Sequence, residues 1–320
     1  MMTRPMLSAV ALLAVACGPK SADPADATTT PTVTVHTWTS ADAGFHTHSH
    51  WVDTGAEVVV FDAQFTADLA REVVADIQSQ TDSPITTLVV THPNPDKFNG
   101  ATVFADLGAE VVASQATADA MPDVHAYKKA YFTSVGMFTD DTYPQLPTID
   151  RTFEGELVLD TAVPVRLVEL SSGGVTTTQT VAVMGDALFA GDLTAGRAHA
   201  WLEGGIVGGV ASPDLEAWDA ALVELATLGA PGAVLYPGRG EALPLDEAVD
   251  EQRVYLETAE TVVADYVVSL DDPMAALTGA EAGDHYAAIT EALVAETPDH
   301  DLSYLVTYGV YGLALSLAAE

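Results

Sequence analysis

The chain has 320 residues with 46 acidic and 11 basic side chains, a net charge of −35 at pH 7, and 48% hydrophobic residues. This charge excludes a protein that binds nucleic acid or anionic membrane surfaces through basic patches, and the apolar content is ample for a buried core. The only cysteine is Cys17, so an intrachain disulfide is excluded as well. We interpret the acidity as a solvated surface rather than as a site for a specific cationic partner.

The N-terminus predicts an export signal, because Arg4 precedes an apolar run that ends Ala-Val-Ala-Cys17. A short apolar run closing on small residues is typical of secretory signals. The Cys directly after it resembles a bacterial lipobox, which implies that Cys17 becomes the lipidated first residue of the mature chain. The alternative is an ordinary signal peptide with a cysteine placed by chance. We therefore expect a signal over 1–17 and, from its Ala, Asp, Thr and Pro content, a flexible tether over 18–32.

The remaining chain, about 285 residues, suits one large domain or two small ones. Its first part alternates strands and helices, which favours an α/β sandwich. The pattern over 33–63 is strand-like, with a short buried-strand run at 57–63, and the further predicted strands are 85–91, 110–114, 152–159, 163–171, 179–184, 187–190 and 233–236. The predicted helices are 65–80, 99–107, 116–135 with a break near Pro122, 213–228, 245–270, 284–296 and 301–319.

The last predicted helix resembles a membrane span, because residues 302–319 carry no charge. This segment contains Ser, Thr, Tyr and two Gly, and it is barely long enough to cross a bilayer. We therefore interpret it as a buried helix within a C-terminal extension over 271–320 that packs on the domain.

Four polar turns stand next to predicted strands. The first follows the strand at 85–91, and there His92, Asn94 and Asp96 alternate, so in an extended loop they can point the same way. The other three turns read Gly173-Gly-Val175-Thr, Leu188-Phe-Ala-Gly-Asp192 and Pro237-Gly-Arg239-Gly.

These turns, in this order, resemble the metal-binding loops of the metallo-β-lactamase superfamily over about residues 43–270. The family loops read Thr-His-x-His-x-Asp-His-x-Gly-Gly, Gly-His-Thr, Leu-Phe-x-Gly-Asp and Pro-Gly-His-Gly. The resemblance implies an αβ/βα four-layer sandwich over 33–270, with zinc ions that activate a water molecule. His92, Asp96 and Asp192 match family ligands, and Asp192 takes the position that bridges two metals. Four family histidines are replaced, by Asn94, Lys97, Val175 and Arg239.

The replacements imply a degenerate site that holds no metal or a single zinc ion. Lysine and arginine are protonated at neutral pH and are not zinc ligands. One interpretation is drift in an inactive site. The interpretation that we favour is that Lys97 and Arg239 neutralise Asp96 and Asp192 and take over part of the electrostatic role of a metal. These four side chains are the candidate catalytic residues.

A histidine-rich segment supplies a further candidate ligand. His46, His48 and His50 alternate, which predicts that all three share one face of a strand, and a polar strand edge is the alternative. The candidate metal ligands are thus His92, Asn94, Asp96, Asp192 and His48. By resemblance to hydrolases of this family, the cleft would also include His199, Trp201 and Val175, although core packing of Trp201 is an equal alternative.

Three functions fit these residues. The first, which we favour, is an envelope lipoprotein with a degenerate metallo-β-lactamase-like domain that binds a small molecule or a protein in its cleft. The second is a hydrolase with a single metal on His92, Asp96 and Asp192, so whether the chain is an enzyme stays open. The third is a structural envelope protein. Because Gly18 is not an Asp, we expect Cys17 to anchor the chain in the outer membrane of a Gram-negative bacterium.

Overall fold

The computed structural model describes residues 31–319, so Cys17, the predicted signal and most of the predicted tether lie outside the described residues. The first sheet contains β1 (His36–Thr39), β2 (His48–Asp53), β3 (Val58–Phe61), β4 (Ile85–Val89), β5 (Glu110–Ser114) and β6 (Arg151–Phe153). Its strands lie in chain order; β1 to β3 pair antiparallel and β3 to β6 pair parallel.

The second sheet contains β7 (Glu156–Leu159), β8 (Val165–Glu169), β9 (Thr180–Met184), β10 (Ala187–Phe189), β13 (Val234–Tyr236) and β14 (Leu243–Pro244). Its order is β14-β13-β10-β9-β8-β7, and within it β10 and β13 are parallel. A separate hairpin joins β11 (Gly205–Val207) to β12 (Val210–Ser212).

The helices are α1 (Ala67–Gln80), α2 (Pro95–Phe98), α3 (Ala101–Ala105), α4 (Gln115–Ser134), α5 (Leu215–Leu225), α6 (Leu245–Val268), α7 (Pro273–Thr278), α8 (Ala282–Glu296) and α9 (Tyr304–Ala318). Helix α1 shows why they form where they do. The Thr66 hydroxyl caps its first turn by accepting from the Leu69 N–H, and buried Val73 and Ile77 repeat four residues apart on the face that meets the first sheet.

Three apolar clusters define four layers. Between the sheets, Phe61 of β3 stacks on Phe189 of β10 with 3.8 Å between ring centroids. Outside the first sheet, α1, α3 and α4 bury a second cluster, and outside the second sheet α5, α6, α8 and α9 bury a third. Each fully buried Leu, Val, Ile or Phe contributes about 1.5–3 kcal/mol. The result is an αβ/βα four-layer sandwich, as predicted.

The C-terminal helix packs inward. Helix α9 buries four apolar side chains in or next to the apolar cluster outside the second sheet: Leu305, Val306, Val310 and Leu313. Among residues 31–319, no helix combines the length and the hydropathy that a membrane crossing requires.

Two predictions about the elements are wrong. Helix α4 runs unbroken through Pro122, because Met121 and Val124 on either side are both buried and their packing offsets the roughly 3 kcal/mol that an internal proline costs. The predicted strand at 152–159 is two strands, β6 and β7, which belong to different sheets. Gly155, with φ +66°, makes the turn between them. The hairpin β11–β12 and helix α7 were not predicted.

Candidate functional site

The candidate residues meet where strands end. Strand β4 leads through His92 into α2, which starts at Pro95 and carries Asp96 and Lys97. Strands β10 and β13 are parallel neighbours, so the turns that follow them, with Asp192 and Arg239, lie side by side. The Gly238 N–H donates to the Gly191 carbonyl at 2.7 Å and joins these two turns.

Asp96, Lys97, Asp192 and Arg239 form a closed arrangement of ion pairs, which we call the ion-pair quartet. The Lys97 Nζ lies 2.9 Å from Asp96 Oδ2 and 2.8 Å from Asp192 Oδ1. The Arg239 Nη2 lies 2.9 Å from Asp96 Oδ2, and its Nη1 lies 2.5 Å from Asp192 Oδ2. Each cation therefore contacts both carboxylates, and all four side chains are buried.

The loop before β2 holds the quartet in place. The Thr47 hydroxyl donates to Asp96 Oδ2 and accepts from Arg239 Nη2, both at 2.9 Å. The Arg239 Nε donates to the Phe45 carbonyl at 2.8 Å. The guanidinium thus has partners on three nitrogens, which fixes its orientation. Sequence reasoning missed Thr47; the available signal was its place between His46 and His48 in the histidine-rich segment.

The quartet keeps all of its members charged. Burial raises the pKa of Asp96, but the positive charges of Lys97 and Arg239 outweigh it and lower that pKa to about 2. The same balance, with Arg239 contributing most, lowers the pKa of Asp192 well below its usual range. Burial lowers the pKa of Lys97, yet the carboxylates of Asp192 and Asp96 outweigh it and raise it. Two positive and two negative charges therefore balance in a buried site.

His92 is buried beside the quartet. Its Nδ1 lies 3.0 Å from the Thr91 hydroxyl, which in turn donates to Asp62. Its Nε2 lies 3.6 Å from Asp192 Oδ2 and makes no hydrogen bond among the described residues. Burial raises the pKa of Asp62 to about 6, although the Lys97 charge opposes the shift. Asn94 is the residue directly before α2.

Two of the three histidines, His48 and His50, lie on one face of β2 as predicted, whereas His46 does not. The His48 Nδ1 and the His50 Nε2 both approach the Pro237 carbonyl, at 3.1 and 2.7 Å. His46 precedes the strand with φ +53°, and its Nδ1 lies 2.9 Å from the Tyr304 hydroxyl. Burial lowers the pKa of His48 to about 4 and that of His50 to about 3. His48 therefore holds the turn that carries Arg239 instead of pointing at a carboxylate.

A small cavity adjoins the quartet. Its volume is about 30 Å³, and it is lined by Asn94, Pro95, Asp96, Asp192 and Arg239 and, opposite them, by Phe45, Phe65, Lys128, Phe132 and Trp201. A cavity needs about 10–15 Å³ of such space to hold one water molecule, whereas small-molecule sites start near 300 Å³. The cleft is therefore closed above the quartet.

The structure does not bring all the predicted cleft residues to this cavity. Trp201 lines it. Val175 is fully buried in the apolar cluster outside the second sheet. His199 is buried with its Nδ1 3.1 Å from the Tyr255 hydroxyl, and burial lowers its pKa to about 4. Val175 packs in the apolar core, whereas His199 is held by the Tyr255 hydroxyl beside His300 and away from the cavity.

A second buried ion pair closes the other side of the cavity, and the sequence did not reveal it. Lys128 of α4 pairs with Glu203, whose Oε2 also accepts from Trp201 Nε1 at 2.9 Å. The Tyr311 hydroxyl of α9 donates to Glu203 Oε1. The Lys128 Nζ stands 4.8 Å from the centre of the Trp201 ring. This network ties α4 to α9 across the mouth of the cleft.

The quartet does not fit a zinc ion. A zinc site needs three or four ligands that converge on one point. Here the Lys97 ammonium and the Arg239 guanidinium contact the two carboxylates on which a metal would depend. Within residues 31–319, no group of three or more His, Cys, Asp or Glu side chains is arranged to hold a metal ion.

Two sheets lie between helical layers, and charged turns follow the strand ends. This arrangement is that of a metallo-hydrolase-like αβ/βα sandwich. The family model for the metallo-beta-lactamase superfamily matches residues 43–239, and the chain belongs to that superfamily. No curated protein matches the chain.

Similar solved structures include a metallo-beta-lactamase from Pontibacter korlensis, with 20% identity and a TM-score of 0.51 over 70% of this chain and 94% of that chain. The metallo-beta-lactamase FIM-1 from Pseudomonas aeruginosa, in its mono-zinc form, has 17% identity and a TM-score of 0.52 over 70% of this chain and 90% of that chain. At these identities the likeness is evidence for the fold alone.

Proposed function

We propose that this chain is a metal-free member of the superfamily and that it binds a ligand at the mouth of its closed cleft instead of hydrolysing a substrate with a metal-bound water. One observation carries the proposal: Lys97 and Arg239 each contact both Asp96 and Asp192. Zinc would have to displace two buried cations, and the neighbouring carboxylates keep the lysine protonated. The quartet supplies the positive charge that these carboxylates require.

The closed cavity supports binding at the mouth. A cavity of about 30 Å³ above the quartet is about a tenth of the volume at which small-molecule sites start. The charged groups nearest to it already pair with one another, in the quartet and in Lys128–Glu203. A ligand therefore meets the residues around the mouth and not Asp96 or Asp192.

The proposed location is the cell envelope, with Cys17 as the lipid anchor and the outer membrane as its site. The apolar run before Cys17 and the small residues around it support this. Fractionation of cells that express the wild type or Cys17→Ser tests it: the variant is expected in the soluble fraction. An unchanged membrane association of Cys17→Ser would refute the anchor.

Zinc analysis tests the metal-free proposal. Purified, tag-free wild type is expected to contain far less than one zinc per chain and to show no rise in melting temperature when zinc is added. The variant Asn94→His, Lys97→His and Arg239→His restores imidazoles at three ligand positions and leaves the core residue Val175 alone. This variant is expected to gain a zinc-dependent rise in melting temperature, which a further Asp192→Asn should reduce.

The single-metal hydrolase remains as the second candidate, because the His92 Nε2 is buried, has no hydrogen-bond partner within residues 31–319 and lies 3.6 Å from Asp192 Oδ2. It predicts stoichiometric zinc in the wild type that is lost in His92→Ala. That result would overturn the metal-free proposal and would make His92, Asp96 and Asp192 the ligands of one metal.

A further inference from the structure

An aromatic groove lies outside the closed cavity and shares Phe45, Phe132 and Trp201 with it. Tyr131 and Tyr308 also line it, together with residues 135–137. We call this surface the aromatic groove. Its volume is about 360 Å³, which is in the range of small-molecule sites. Tyr131 and Tyr308 are 40% and 46% exposed, so the groove opens to solvent.

Two rings of the aromatic groove, Trp201 and Tyr308, stand nearly perpendicular to Phe45. Phe45 stands at the centre, with its ring at 79° to Trp201 and at 87° to Tyr308, and with centroid distances of 6.2 and 6.5 Å. Phe132 lies 5.8 Å from Phe45. The faces of aromatic rings carry negative potential, so a cation that lies over an exposed ring face is attracted to it.

The cleft already contains one such contact. The Lys128 Nζ lies over the Trp201 ring, and Glu203 neutralises its charge. The quartet beneath is also balanced, with two positive and two negative side chains. The charged groups below the groove therefore do not repel a second cation, and the net charge of −35 attracts cations to the protein and disfavours anions.

The lining of the aromatic groove favours quaternary ammonium ions over primary ones. None of the residues that line the aromatic groove is charged, and its polar side-chain groups are the Tyr131 and Tyr308 hydroxyls and the Trp201 N–H, which is already bonded to Glu203. A primary ammonium has three N–H donors that need acceptors, and the groove has few. A quaternary ammonium has no N–H and presents apolar methyl groups to the rings.

We propose that the aromatic groove is a binding site for quaternary ammonium compounds. This inference rests on the proposed function, since it names the ligand class for the binding role at the mouth of the cleft. Tyr308 and Tyr131 are the exposed walls that contact the cation, and Phe45 forms the floor. Met137 adds a flexible apolar contact at one end.

The test uses choline and its neutral isostere 3,3-dimethyl-1-butanol, in which carbon replaces the nitrogen. Calorimetric titration of the full chain at constant ionic strength is expected to show one choline site. The isostere is expected to bind about tenfold more weakly than choline. Tyr308→Leu should weaken choline binding by a similar factor, whereas Tyr308→Phe keeps the ring and should retain it. Melting temperatures confirm that both variants fold.

Equal affinity for the two probes, absence of choline binding, or unchanged binding in a folded Tyr308→Leu variant would each overturn the inference. Zinc content decides the proposed function separately. If the chain contains no zinc and does not bind choline, the ammonium site is refuted and the metal-free proposal is not. If the chain contains zinc and binds choline, the metal-free proposal is refuted and the ammonium site is not.

Discussion

Lys97 is the residue on which the site depends most. It is fully buried, yet its ammonium has a carboxylate oxygen within 3 Å on each side. Burying charges costs several kcal/mol each, so such a group persists only when its partners are all present. The same reasoning holds for Arg239, which has the Thr47 hydroxyl and the Phe45 carbonyl as further partners.

Lys97→Met should lower the free energy of unfolding by about 3–5 kcal/mol, because Asp96 and Asp192 would then share one cation in a buried site. The control is Lys129→Met, since Lys129 pairs with the exposed Asp140 at 3.4 Å and such pairs contribute about 0–1 kcal/mol. Urea unfolding measures both variants. A loss of less than 1 kcal/mol in Lys97→Met would show that the quartet is not strongly coupled.

At the level of elements, the turn between β13 and β14 packs directly against the Lys97–Asp192 ion pair, which restricts the residue at position 238. A Cβ atom on Gly238 would lie 2.1 Å from Asp192 Oδ1 and 2.7 Å from Lys97 Nζ. Glycine is therefore required there for space, because the ion pair lies directly against the backbone. The neighbouring elements α4 and α9 are joined in a comparable way, through Lys128, Glu203 and Tyr311.

Gly238→Ala should push Lys97 and Asp192 apart and lower the free energy of unfolding by about 1–3 kcal/mol, as overpacking does. Gly283→Ala is the matched control, because Gly283 lies in α8 with open space around its Cβ position. That substitution should stabilise the chain by about 0.5–1 kcal/mol through helix propensity. Chemical denaturation compares the two, and equal effects would contradict the close approach at Gly238.

The whole molecule should respond to acid through its buried histidines. Burial lowers the pKa values of His48, His50 and His199 to about 4, 3 and 4. In the unfolded chain each takes up a proton near its usual pKa of 6.5. Their contribution to stability is therefore complete above pH 6.5 and is lost as the pH falls toward 4. Asp62 has the opposite effect on stability. Burial raises its pKa to about 6, so the folded chain takes up this proton first and gains stability as the pH falls below about 6.

We expect the melting temperature to fall between pH 7 and pH 4.5, since three histidines outnumber one carboxyl group. The measurement should be made at high constant salt, so that repulsion among the many carboxylates is screened. His48→Asn keeps an N–H for the Pro237 carbonyl and removes one titrating group, so its melting temperature should depend less steeply on pH. A wild-type melting temperature that stays level or rises toward pH 4.5 would contradict this account.

The sequence by itself determined the fold and the order of the turns around the site. Strand periodicity and turn residues are local properties, so the four turns with Asp96, Val175, Asp192 and Arg239 could be aligned with a known family before any distance was measured. The replacement of four family histidines was equally visible. The export signal ending at Cys17 is also a local pattern, and it stays a prediction.

The tertiary structure decided which side chains meet, because those contacts join residues far apart in the chain. The Arg239 side chain reaches the Phe45 carbonyl 194 positions away, and Lys128 pairs with Glu203 across 75. Alternation placed His46 with His48, but a positive φ turned it toward Tyr304. Periodicity specifies which face a residue occupies, whereas the closing of the cleft to about 30 Å³ depends on how side chains from distant elements pack together.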